Sequence, residues 1–131
     1  MPRQAIGAGA SLPDGTPNPI TPAVRAGDFV FFSGLMPKGA DGQMVEGDIA
    51  VQTKTVMDRL ETVLKQTDCT FDDVVKCMAW LTHAEDFKAF NDVYASYFEG
   101  APPARSAVRS DLLLPGARLE LEAVCYKPLE P

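Results

Sequence analysis

At 131 residues the chain fits a single domain, residues 1–131, long enough to bury roughly two thirds of the surface that its unfolded form exposes. Its 46% hydrophobic and 23% charged content belongs to a folded globular protein and excludes a disordered or fibrous one. A net charge of -6 with only 12 Lys and Arg argues against a nucleic-acid or anionic-membrane partner, and leaves room for a small anionic metabolite held by one focused cation.

Three cysteines, Cys69, Cys77 and Cys125, without CxxC spacing predict neither a disulfide framework nor a zinc site, and fit a reducing cytoplasm. They read as small core residues. No metal or cofactor is expected. The opening MPRQAIGAGASLPDG has no apolar h-region, and no stretch approaches the ~20 apolar residues of a membrane span.

Residues 1–19, rich in Gly, Pro, Ala and Ser, predict an irregular N-terminal arm. A short strand near 20–25, a turn at Gly27-Asp28 and a strong strand at 28–33 follow, closed by Pro37. A stripe at 49, 53 (Thr), 56, 60, 63 and 64 predicts an amphipathic helix from Ile49 to about Gln66, with Gly47-Asp48 supplying its N-cap. VVKCMAWLT, 74–82, reads as a buried strand. Thr82 and Glu85 match a capping box, and a second helix should bury Phe87, Phe90, Tyr94, Tyr97 and Phe98 before Gly100, Pro102 and Pro103 end it. Strands at 104–109 and 118–126 complete an α+β order, ββ-α-β-α-ββ: a mixed sheet with two helices packed on one face.

Strand parity then sorts the side chains. Leu119, Leu121, Ala123 and Cys125 should meet the helices, as should Val75, Cys77, Ala79 and Leu81. Lys76, Met78, Trp80 and Thr82 are left on the opposite face with Glu120 and Glu122, and with Phe31 nearby. That apolar patch predicts self-association, with Trp80 as interface packing. Arg105, in PPARSAV, has no acidic residue within five positions on either side. If Ala104, Ser106 and Val108 face the helices, Arg105 shares the face of Glu120. Two readings are then open: cross-strand ion pairs among Arg105, Arg109, Glu120 and Glu122 on a solvated face, or a desolvated guanidinium whose fork suits a carboxylate ligand.

FFSGLMP, VQTKTVMDRLETVL, FDDVVKCMAWL, FNDVYASYF and, above all, PPARSAV followed by LELEA together resemble the Rid (YjgF-type) family of reactive-intermediate deaminases from about Ile20 to Tyr126. The resemblance implies a chorismate-mutase-like fold and a homotrimer with a central barrel-like core, with sites in clefts between subunits. It also implies hydrolysis of enamines or imines such as 2-aminoacrylate to 2-keto acids and ammonia. On that basis Arg105 holds the substrate carboxylate, Glu120 orients the attacking water, and Ser33 and Asn91 line or support the cleft. Gly34 follows Ser33, as a close backbone approach to ligand or as a plain strand-end glycine. The chain departs from many relatives at Ala107, where they carry cysteine, and at Ile20, where they carry tyrosine. A non-catalytic trimer that captures small carboxylates, and a catabolic deaminase of an aminomuconate-like acid, are the alternatives. His83, the only histidine, reads as a capping or surface residue.

Overall fold

A computed structural model describes residues 3–9 and 11–130. The first helix, α1 (Ile49–Gln66), forms where its stripe predicts, and buries Ile49, Gln52, Thr53, Val56, Met57, Leu60 and Leu64. The Asp48 carboxylate accepts the Val51 N–H at 3.0 Å, meeting an orphan donor of the first turn. At the other end the Thr67 hydroxyl donates to the Leu64 carbonyl at 2.8 Å. The second helix, α2 (Phe87–Ala95), is shorter than its aromatic pattern suggests. Phe90 and Tyr94 are buried on it, but Phe87 is 43% exposed.

Six strands form one sheet: β1 (Gln4–Ile6), β2 (Ala23–Ala26), β3 (Phe29–Phe32), β4 (Val74–Leu81), β5 (Ala104–Arg109) and β6 (Leu119–Tyr126). Their order is β1-β2-β3-β6-β4-β5, with β5 parallel to β4 and the other neighbours antiparallel. Val30, Phe32, Cys77, Ala79, Leu81, Leu119, Leu121, Ala123 and Cys125 join α1 and α2 in one core, so both helices cover the same face. All three cysteines are buried and free.

Four local expectations give way. The 1–19 arm contains β1, which pairs Gln4 to Arg25 and Ile6 to Ala23; residues 1, 2 and 10 of that arm lie outside the described residues. The strand expected from residue 20 begins at Ala23. A bulge between Val74 and Lys76 buries Val74 and leaves Val75 outward, so Val75 is not part of the helix-facing set. The Thr82–Glu85 capping box does not form: His83 caps a single tight turn, Ala84–Asp86, without a side-chain bond, and Asp86 is drawn instead to the Arg118 guanidinium at 2.8 Å. His83 itself is exposed, with Nδ1 2.7 Å from the Thr82 hydroxyl.

No helix among the described residues is long and apolar enough to cross a membrane. The sheet face away from the helices carries Phe31 (47% exposed), Phe29, Tyr126 and Val108, with Met78, Trp80 and Val124 partly covered.

Candidate active site: two half-sites on opposite faces of the sheet

Arg105 lies on β5 in parallel register with Cys77, and Ala107 with Ala79. Paired residues share a face, so the Arg105 side chain points toward the helices. There its Cζ stands 4.8 Å from the Tyr94 ring centroid, 5.4 Å from Phe90 and 5.6 Å from Phe87. These three rings lie on one stripe of α2, three and four residues apart. Among the described residues no ion pair and no side-chain hydrogen bond engages the guanidinium. It opens on a cleft of about 430 Å³ lined also by Asn91, Tyr94, Ala95, Pro102 and Pro103. The walls are apolar apart from Asn91 and Arg105, a setting in which a positive charge attracts an anion more strongly than in water. Ala107 is partly buried against the core beside it. Beneath the guanidinium the Tyr94 hydroxyl is buried without a hydrogen-bond partner. Burial, then the neighbouring Cys77 thiol, pushes the phenol well above its ordinary range. Burial also raises the Cys77 thiol, against the Tyr94 hydroxyl and the Arg105 charge, which lower it.

Glu120 belongs to the other face. It pairs with Trp80 across β6 and β4, and it is half-buried. Burial first, and the Glu122 carboxylate second, raise its carboxyl above the usual 4.5. The Ser33-Gly34-Leu35 segment runs beside it, because Leu35 and Leu121 exchange both backbone hydrogen bonds, at 2.7 and 3.0 Å. Gly34 leaves room for the carboxylate: a Cβ on it would overlap Glu120 Oε2 and push that end of the side chain aside. The Ser33 hydroxyl donates to the Thr21 carbonyl at 2.6 Å, tying this segment to the stretch that carries Ile20, which is 48% exposed. From α1, Arg59 donates to the Met36 carbonyl at 2.6 Å and fixes the far end of the same segment.

The candidate residues therefore fall into two groups within one chain. Arg105, Ala107 and Asn91 lie on the helix side; Glu120, Gly34 and Ser33 lie toward the other side, with Ile20 in the exposed stretch that Ser33 holds through Thr21. The expectation that Arg105 shares the face of Glu120 is incorrect. Alternation in ARSAVR defines two sets without saying which is inward, and the small residues Ala104, Ser106 and Val108 turn outward because the Arg105 stem and fork find three aromatic rings on the helix side. Cross-strand ion pairs joining Arg105 or Arg109 to Glu120 or Glu122 are absent among the described residues, and Arg118 pairs with Asp86. The aromatic seat under Arg105 was not anticipated. Its signal was present as Phe87, Phe90 and Tyr94, which periodicity assigns to core and which an unpaired strand arginine turns into a cation seat.

Fold and geometry together define a class: a small α+β protein that presents an unneutralised arginine on one sheet face and a carboxyl of raised pKa on the other. A profile described as Endoribonuclease L-PSP matches residues 15–127. The 3-aminoacrylate deaminase RutC of Acinetobacter baylyi is 34% identical over 130 residues, 96% of this chain and 99% of its own. A 2-iminobutanoate/2-iminopropanoate deaminase of Capra hircus is 36% identical over 110 residues, 83% and 80% of the two chains. Among solved structures, the Rid-family protein YyfA of Yersinia pestis superimposes with a TM-score of 0.84 at 32% identity, covering 95% and 99%. The chain belongs to the L-PSP (YjgF/Rid) family.

Proposed function

We propose that this protein is an imine/enamine deaminase that hydrolyses 2-aminoacrylate-like imino acids to 2-keto acids and ammonia, as a homotrimer with its sites between subunits. The observation that carries this reading is the placement of Arg105 and Glu120 on opposite faces of one sheet, where no single chain can bring them to the same substrate. A second copy can, and the exposed Phe29, Phe31 and Tyr126 beside Met78 and Trp80 supply an apolar surface for it. The names of the deaminase relatives support the chemistry.

In the assembled cleft Arg105 of one subunit grips the substrate carboxylate through its planar fork. Glu120 of the next subunit, raised by burial, is a stronger base than a solvated carboxylate once ionised. It takes a proton from water as the water oxygen bonds to the protonated imine carbon and the C=N electron pair moves to nitrogen. That proton then passes to the amine, the C–N bond breaks, ammonia leaves, and the hydroxyl proton returns to the carboxylate as the carbonyl forms. The imine is electrophilic already, so holding it against one water is the main task of the protein.

The experiment is ammonia release from 2-aminoacrylate generated in situ, run alongside light scattering. Release at a rate that falls with Arg105→Ala and with Glu120→Gln, from a particle about three times the 14.1 kDa chain, supports the proposal. An active monomer would overturn the shared site. Tight binding of 2-keto acids with no ammonia released would favour the non-catalytic carboxylate trimer, and activity confined to an aminomuconate-like acid would favour the catabolic enzyme. The net charge of -6 argues against the ribonuclease activity that the family profile's description names.

A further inference from the structure

We infer that Phe87, Phe90 and Tyr94 are positioning residues that aim Arg105, and that Phe87 is the wall of this seat on which carboxylate affinity depends most accessibly. The inference rests on the reading of Arg105 as the carboxylate grip. An arginine can be held in place by acids or by ring faces, with opposite consequences. A carboxylate partner would occupy the N–H edge of the guanidinium and neutralise it. Ring faces engage only the flat of the cation and leave its five donors and its charge for a ligand. Arg105 is held in the second way: three ring centroids lie within 5.6 Å, and no acidic group pairs with it among the described residues.

The seat is stiff on two sides and open on the third. Phe90 is fully buried and stands 5.5 Å from Tyr94, which in turn lies 4.9 Å from Phe98, and Phe98 meets Phe71 at 5.5 Å. Neither Phe90 nor Tyr94 can move without disturbing the core. Phe87, at the first turn of α2 and 43% exposed, can be trimmed without opening a cavity.

The test uses the full-length protein, 2-oxobutanoate as the ligand, and the Nε–H resonance of Arg105 as a direct reporter of the ring currents around it. Phe87→Leu should move that resonance toward its random-coil position and weaken 2-oxobutanoate by about two- to fivefold, the range of a part-exposed cation–π contact. KM for an imino acid should rise with it and kcat should change less, because the grip is used in ground and transition states alike. Phe87→Tyr, which restores a ring, should recover both resonance and affinity. In an Arg105→Ala background, Phe87→Leu should have no further effect on affinity, since the ring acts only through the guanidinium. An unchanged Arg105 resonance and affinity in Phe87→Leu, or an equal loss of affinity in the Arg105→Ala background, would overturn the seat. If Arg105→Ala itself binds 2-oxobutanoate as the parent does, the functional reading fails, and the Phe87→Leu resonance still decides whether the seat exists.

Discussion

Two half-sites on opposite sheet faces predict that two inactive variants will rescue one another. Arg105→Ala removes the carboxylate's partner and should cost about 2–5 kcal/mol of transition-state binding. Glu120→Gln keeps shape but cannot accept a proton, for a loss on the order of 10²–10⁴ in turnover. Each pure variant is therefore nearly inert. Under the proposed function Arg105 and Glu120 of one chain would face different substrates, since Arg105 pairs with Cys77 beneath α2 and Glu120 with Trp80 on the outer face. In a ring closed by head-to-tail contacts, each site takes Arg105 from one chain and Glu120 from its neighbour. Randomly mixed trimers from equal amounts of the two variants place an intact arginine against an intact glutamate in one pairing of four, so activity should return to about one quarter of the parent's. The assay is co-refolding, which samples all trimers, or co-expression with two tags and tandem purification, which keeps only mixed trimers and should give about one third, followed by deaminase rates on one imino acid. Mixed trimers no more active than the better pure variant would refute the shared site.

Three further outcomes follow from particular residues. Because folding raises Glu120, kcat/KM should climb with pH through an apparent pKa above 4.5, and that limb should vanish in Glu120→Gln; by linkage the folded state holds this proton more tightly than the unfolded one, so the contribution of Glu120 to stability should fall as pH rises past the same point. Gly34→Ala should push the Glu120 carboxyl out of place and lower kcat with little change in thermal midpoint, whereas parental turnover would show that the close approach is unimportant. Ala107 and Ile20, smaller or more apolar than the cysteine and tyrosine of many relatives, should leave a roomier cleft, so imines from leucine or methionine should gain about 1–3 kcal/mol of discrimination relative to the alanine-like one; a panel made by an amino-acid oxidase, read by semicarbazide trapping, checks this, and strict preference for the smallest member would refute it.

What could be read from the residues, and what could not, divides along one physical line. α1 was readable because the Asp48 cap and the apolar recurrence at 49, 56, 60 and 64 are local signals that agree, although Gln52 and Met57 also turn inward and Val63 is only partly covered. The range of β5 was readable for the same reason, with Pro103 before it and alternation within it. Its orientation was not. A strand pattern states that Arg105 and Ala107 share a side, but the choice of side depends on what that side offers, and only packing brings Phe87, Phe90 and Tyr94 over β5. Hydrophobicity ranks arginine as an outward residue, yet an aromatic face accepts its stem and the flat of its cation, and so the usual ranking inverted the strand. The bulge at Val74 and Lys76 is a smaller case, for one extra residue reverses the parity that periodicity assumes. The residue types that the proposed chemistry uses were visible in PPARSAV and LELEA; their separation by the thickness of a sheet was not. That separation is the more consequential fact. Arg105 and Glu120 are also separated along the sheet, since β4 lies between β5 and β6 and Arg105 aligns with Cys77 whereas Glu120 aligns with Trp80. With the sheet between them neither can neutralise the other, and under the proposed function a second copy of the chain is what would bring the two to one substrate.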